Sequence, residues 1–204
     1  MKLIGTFVSP FARRVAAALI SRAIPYEHED LNGYANPARA RELNPVGKVP
    51  VLVLDDGERL IDSAAILDHI DELVGPERAL LPRSGSARRM ALRLSAISTT
   101  ICEQITAHYF ERQRPSGAAQ PELLERYALQ IIGGLKALDA ASGSNGPIGA
   151  RPLDIATISA VIAFEYAPSW YPELEPARIA PALAAVAAAL TDEPAFARTR
   201  PQAA

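Results

Sequence analysis

Three short segments carry polar groups where a folded backbone would present them to a ligand: Ser9-Pro10, Lys48-Val49-Pro50 and Asp62-Ser63. Ser9 is a good helix N-cap, and Pro10 suits the first helical position. The same serine can do chemistry, because a helix N-terminus favours an anion and a hydroxyl adds a donor to it. One lone pair can cap while the proton donates, so the two roles are compatible. At Val49-Pro50, proline removes a ladder donor, which places it at a sheet edge or a special turn. Lys48 beside it either pairs with a carboxylate or is solvated. Asp62 and Ser63 both cap helices well. The same geometry lets the N–H and hydroxyl of Ser63 hold a carboxylate while Asp62 pairs with an ammonium.

These segments need a scaffold, and the hydrophobic pattern supplies one. Residues 2–8 read as a strand, and a helix follows from Pro10 with apolar residues at 11, 15, 18 and 19. Residues 26–31 read as a second strand, closed by the turn signal Asn32-Gly33. Pro37 opens a short helical piece. Residues 49–54 and 58–61 are strands joined by the hairpin signal Asp55-Asp56-Gly57. After Asp62-Ser63 comes an amphipathic helix with Ala65, Ile66, Ile70 and Leu73 along one side. A strand–helix–strand unit followed by a hairpin and a helix implies a mixed sheet with helices on its faces.

Residues 1–76 form this α/β domain, 77–86 a Pro/Gly/Ser-rich linker, and 87–204 a domain with no strand signal. The spacing there predicts helices over 87–112, 121–141, 152–167 and about 181–190, with a short helical tail near 192–198. The segment 152–167 is apolar nearly all round, which marks a buried core helix. Residues 168–181 read as irregular.

Composition excludes several classes of function. The net charge is −2 and neither half is polycationic, which argues against nucleic acid as a partner. No apolar run reaches the ~18 residues a membrane span needs, and the N-terminus lacks a signal-peptide core, so a cytoplasmic protein is expected. Cys102 is the only cysteine. An internal disulfide, a dithiol redox site and a cysteine-rich metal site are therefore ruled out. His28, His69 and His108 have no metal-ligand spacing, and no metal is expected.

Taken in order, the segments SPFARRV, NPVGKVPVL, the hairpin leading to DSAAILDHI, and the all-helical second half resemble the glutathione S-transferase superfamily, and within it small bacterial glutathione transferase-like proteins. The resemblance implies an N-terminal thioredoxin-like domain (βαβαββα), a C-terminal α-helical bundle, glutathione as co-substrate and a homodimer. It assigns Ser9 to the glutathione thiol, whose free pKa of about 8.5 must be lowered for reactivity at neutral pH. It makes Val49-Pro50 a cis peptide whose exposed Val49 backbone pairs with the glutathione backbone like an added strand. It gives the γ-glutamyl group to Asp62 and Ser63, where most relatives have Glu-Ser. The shorter Asp62 leaves its ammonium contact direct, water-bridged or absent. Relatives also carry a basic residue near position 35 for the glycyl carboxylate; here Tyr34, Asn36 or Arg39 must serve.

The resemblance further places a pocket for a small electrophile between Phe11 and the helix bearing Cys102, Glu103, Thr106 and Phe110, with Trp170 and Tyr171 closing it. Relatives often cap the buried core helix with a Ser or Thr three residues before an Asp. Asp154 is present, but position 151 is Arg. Pro152 is then the expected helix opener and Asp154 a folding residue. Three readings of function stay open: a detoxifying transferase, a glutathione-dependent disulfide or peroxide reductase, and a non-catalytic glutathione-binding or interaction protein.

Overall fold

In the computed structural model, which describes residues 1–143, 146–149 and 152–201, the chain forms two compact units. The first holds Met1–Arg83 together with the C-terminal segment from Thr191, and the second holds Ser84–Leu190. The end of the chain thus departs from the expected single helical domain over 87–204. Phe196 and Thr199 are fully buried, and the Thr199 hydroxyl donates to the Ala195 carbonyl at 2.7 Å.

The first unit runs β1 (Lys2–Ile4), α1 (Pro10–Ser21), β2 (Glu27–Glu29), α2 (Pro37–Leu43), β3 (Val51–Val53), β4 (Arg59–Ile61) and α3 (Ser63–Val74). Its sheet has the order β2-β1-β3-β4, with β1 parallel to β2 and antiparallel to β3, and β3 antiparallel to β4. This is the thioredoxin-like arrangement expected. Ile4, Leu31, Leu43 and Val51 form one hydrophobic cluster, with Val49, Val53 and Ile61 packed on it. Leu3 and Leu52 point to the opposite face and are fully buried. Each such side chain contributes about 1.5–3 kcal/mol when fully buried.

The strands are shorter than the apolar pattern suggests, and β1 shows why. It stops at Ile4 because Gly5 turns the chain at φ +150°. A Cβ on Gly5 would sit 2.9 Å from the Ala12 Cβ and 3.2 Å from the Val49 Cβ. Only glycine lets the start of α1 and the segment before β3 close over β1. Helix α1 is buried nearly all round, packing on β1, on α3 and on α9 (Pro194–Ala197). The predicted face of α3 shifts. Ser63, Ile66, Leu67 and Ile70 are buried, whereas Ala65 and Leu73 are exposed. Positions 63, 66, 67 and 70 follow the 3–4 spacing that one helix stripe requires, and residue 65 lies off it.

In the second unit, α4 (Gly85–Arg112) packs against α5 (Pro121–Ala140) and α6 (Ile155–Trp170). The glycine pair in α5 divides its work: a Cβ on Gly134 would meet the Ile101 Cγ1 at 2.6 Å, while one on Gly133 would meet open space. Helix α6 begins at Ile155, not at Pro152. Asp154 is its N-cap, accepting from the Thr157 N–H at 2.8 Å, and the Thr157 hydroxyl accepts from the Gly149 N–H at 3.0 Å. Asp154 is thus a folding residue, as expected; Arg151 lies outside the described residues. Helix α6 also continues through Pro168 to Trp170, since a proline in the last turn removes only its own hydrogen bond. The segment expected to be irregular holds a 3₁₀ turn (Pro172–Leu174) and α7 (Pro176–Ile179), followed by α8 (Pro181–Ala189). No helix among the described residues is long and apolar enough to cross a membrane.

Candidate functional site

Sheet register brings the three polar segments to one edge. Glu29, Ile4, Val51 and Ile61 form a row across the four strands. The chain leaves β1 after Ile4 toward Ser9. It enters β3 just after Val49-Pro50, and it leaves β4 after Ile61 into Asp62-Ser63. All three segments lie at the same end of the sheet, as does the loop that follows β2.

Ser9 is the N-cap of α1. Its hydroxyl accepts from the Ala12 N–H at 3.4 Å, a long contact for a hydrogen bond, while its carbonyl accepts from the Arg13 N–H at 2.9 Å. The cap therefore holds the hydroxyl loosely, and the proton is available to another group.

The Val49-Pro50 peptide is cis. Val49 precedes β3, and among the described residues no hydrogen bond uses its N–H or its carbonyl. Lys48 is exposed, and its carbonyl accepts from the Asn44 side-chain amide at 2.8 Å, fixing the loop before the cis bond. A backbone segment at the end of the sheet with a free donor and acceptor is what an extended peptide needs for pairing.

Asp62 adopts φ +69°, ψ +128°, a region that a residue with a side chain rarely enters. Its Oδ1 accepts from the Ala64 N–H at 2.7 Å, and its carbonyl accepts from the Ile66 N–H at 3.1 Å. Strain of this kind persists only where the surroundings impose it, and it gathers at ligand clamps. Ser63, the first residue of α3, is buried, and its N–H enters no hydrogen bond among the described residues. Its hydroxyl accepts from the Arg14 Nε at 3.0 Å. Because that oxygen is the acceptor there, the Ser63 proton is directed elsewhere. Arg14 is itself buried on α1. The result is an N–H, a hydroxyl proton and a buried cation behind them at one helix start, a set of groups chemically suited to a carboxylate. Sequence reasoning missed Arg14. In a run of alanines, an arginine reads as the solvated face of an amphipathic helix, and only the all-round burial of α1 shows that it stands behind Ser63.

The loop after β2 is built on Asn32, whose Oδ1 accepts from the N–H groups of Tyr34 and Ala35 at 3.0 and 3.2 Å. Tyr34 is exposed, and the Asn36 amide donates to the Asn32 carbonyl at 3.3 Å. Arg39 pairs with Glu42 at 3.1 Å and approaches Glu29 at 3.9 Å. Glu29 also binds Lys2 at 2.7 Å, and that hydrogen bond holds its carboxyl below the usual range.

The residues expected to line a second pocket fall on two elements. Phe11, half-buried, is on α1 of the first unit; Cys102, Thr106 and Phe110 are on α4 of the second. Cys102 is buried, Glu103 is exposed, and Phe110 is 46% exposed. The Thr106 hydroxyl donates to the Cys102 carbonyl at 2.9 Å, so the Tyr166 hydroxyl, 3.0 Å away, is the donor to it. Tyr109, which the sequence did not single out, meets Phe110 edge-on at 5.4 Å and Trp170 at 4.7 Å. Tyr171 stacks instead on the buried His108 at 4.1 Å, beside the two-pronged Arg112–Glu173 pair at 2.9 and 3.0 Å. Burial, with the Arg112 cation, pushes the His108 pKa down against the opposing pull of Glu173. Among the described residues, no cluster of three or more His, Cys, Asp or Glu could hold a metal ion.

Comparison with known proteins gives concordant matches. Residues 3–78 match the family described as glutathione S-transferase, N-terminal domain. The uncharacterized GST-like protein YibF of Escherichia coli (strain K12) is 29% identical, with 98% of each chain covered. The crystal structure of a glutathione transferase family member from Pseudomonas fluorescens Pf-5, with bound glutathione, is 31% identical, covers 99% of each chain and has a TM-score of 0.87. A glutathione S-transferase from Methylobacterium radiotolerans JCM 2831, in complex with glutathione sulfonate, superimposes with a TM-score of 0.91. It is 28% identical and covers 100% of this chain and 95% of its own.

Proposed function

Because the chain belongs to the glutathione S-transferase superfamily, we propose that it is a glutathione transferase, activating the glutathione thiol for attack on a small electrophile. The observation that carries this reading is the arrangement at the start of α3, where the Ser63 N–H and hydroxyl, backed by the buried Arg14, share a sheet end with Val49-Pro50 and Ser9. In this reading Ser63 takes the γ-glutamyl carboxylate. Asp62, its carboxylate partly occupied by the Ala64 N–H, faces the α-ammonium. The Val49 backbone pairs with the cysteinyl unit, and Lys48 offers a cation to the glycyl carboxylate in place of Arg39, which Glu42 and Glu29 engage.

Ser9 then donates its proton to the glutathione sulfur, stabilising the thiolate. The thiolate sulfur forms a bond to an electrophilic carbon, the leaving group departs with its electron pair, and the thiol proton passes to solvent. No protein-bound intermediate is required. In the second unit, Thr106, Tyr109, Phe110, Tyr166 and Trp170 present rings and hydroxyls suited to a small, partly apolar electrophile. Exposed Leu73 on α3, with Met90 and Leu92 on α4, supports homodimerisation through those helices.

Titration calorimetry with glutathione, followed by conjugation assays on wild type and Ser9→Ala, tests the proposal. Saturable binding, with conjugation that collapses in a folded Ser9→Ala, is expected. Absence of binding at millimolar glutathione would leave the interaction-protein reading in its place.

A further inference from the structure

The weak cap at Ser9 raises the question of what fixes its hydroxyl. Since the Ala12 N–H lies 3.4 Å away, the position of that oxygen is set mainly by the backbone that leads to it, Gly5 to Val8. That segment is tied down from one side. The Gly5 N–H donates to the Glu29 carbonyl and the Thr6 N–H to the Leu31 carbonyl, both at 3.0 Å. The Thr6 carbonyl in turn accepts from the Ser9 N–H at 3.0 Å. Those bonds leave the Gly5 carbonyl and the Phe7 side chain to be held, and one residue of β2 holds both. His28 Nε2 lies 2.7 Å from the Gly5 carbonyl oxygen. A carbonyl can only accept, so Nε2 carries the hydrogen. The imidazole also lies flat on the Phe7 ring, with centroids 4.1 Å apart and planes 2° from parallel.

We propose that His28 is a positioning residue for Ser9. It touches neither glutathione nor the electrophile. It grips the loop at a backbone acceptor and an aromatic face, four and two residues before Ser9, so that the hydroxyl stays in register with the bound sulfur. His28 is exposed, so replacing it removes nothing from the core. A displacement near 1 Å at a reacting group can cost up to about a hundredfold in rate, which sets the scale of the effect.

The inference rests on the transferase reading, and its test separates the two. The readout is the pH titration of the glutathione thiol in the binary complex, followed by thiolate absorbance, which needs no electrophile. Conjugation kinetics are measured alongside it. In His28→Ala the thiol titrates at higher pH than in wild type, and kcat falls roughly ten- to a hundredfold, while the KM for glutathione stays within about twofold. His28→Gln, whose amide can donate to the Gly5 carbonyl, recovers part of the loss, and Phe7→Leu reproduces the loss of stacking alone. A lowered thiol pKa in wild type that is unchanged in His28→Ala overturns the role of His28 and leaves the transferase reading intact. Equal loss of thermal stability, KM and kcat in His28→Ala and His28→Gln also overturns it, as the mark of a folding residue. Wild type that binds glutathione without lowering its thiol pKa, or does not bind it, overturns both.

Discussion

Replacing Ser63 by alanine separates the structural from the binding role of one hydroxyl. That oxygen accepts from the buried Arg14 Nε at 3.0 Å, and in the proposed complex its proton meets the γ-glutamyl carboxylate. The substitution deletes both bonds and little else, since the methylene remains. On the stability side, a buried donor that loses its acceptor costs about 1–3 kcal/mol. Arg14 makes further contacts, so the lower end applies. About 1 kcal/mol corresponds to a Tm decrease of roughly 2–4 °C for a chain of this size. On the binding side, a hydrogen bond to a charged group is worth about 1.5–3 kcal/mol, which converts to a Kd for glutathione roughly 10- to 150-fold weaker. Calorimetric titration and thermal unfolding measure the two effects on the same samples. Ser63→Thr, which keeps the hydroxyl, serves as the control. A Ser63→Ala protein that melts a few degrees lower yet binds glutathione within twofold of wild type would refute the reasoning, because the hydroxyl would then serve only Arg14.

Other outcomes follow from the same geometry. Ser9→Ala is expected to abolish most conjugation while lowering stability by no more than about 1 kcal/mol, because the capping contact is long; chemical denaturation beside a rate assay checks this. Gly5→Ala places a Cβ 2.9 Å from that of Ala12 at φ +150°, so it should destabilise the first unit by at least roughly 1–3 kcal/mol, and a clear drop in denaturation midpoint is the readout. His108 is held below its ordinary pKa of 6.5, so below that pH the unfolded chain takes up a proton that the folded chain refuses, and stability falls as the pH drops. In His108→Phe, which keeps a ring against Tyr171, melting curves recorded between about pH 5 and 7.5 should lose that part of the acid slope. Leu92→Glu on the exposed side of α4 is expected to shift a dimer to monomer in sedimentation, with little change in Tm.

The helices were the most legible part of the sequence, because their signals are local. Ser9-Pro10 and Asp62-Ser63 mark two starts that the structure places at the same residues. The strands were harder. Each holds three residues, and their apolar runs continue into turns that belong to the site. Nothing local says that β1 must stop at Gly5, since the limit comes from the side chains of Ala12 and Val49 across space. The buried face of α3 differs from the expected one at Ala65 and Leu73 for a related reason, as a helix rich in apolar residues does not declare which stripe meets the core. The end of the chain shows the same limit. Thr191 onward continues a helical pattern, yet it folds back on the first unit, with Arg13 Nε on α1 donating to the Thr199 hydroxyl at 3.4 Å.

By itself the sequence determined the order of elements, the break between an α/β half and a helical half, and the polar helix starts at Ser9-Pro10 and Asp62-Ser63. Those follow from caps, turns and periodicity, which act over a few residues. Tertiary structure decided which of those residues act together and what stands behind them. Strand register brought Ser9, Val49 and Ser63 to one edge. The all-round burial of α1 turned Arg14 from an apparent surface residue into the cation behind Ser63. The parallel pairing of β1 with β2 set His28 against the loop that leads to Ser9. These are contacts between residues distant in the chain, whose energies depend on distance and burial, and no local pattern of residues encodes either.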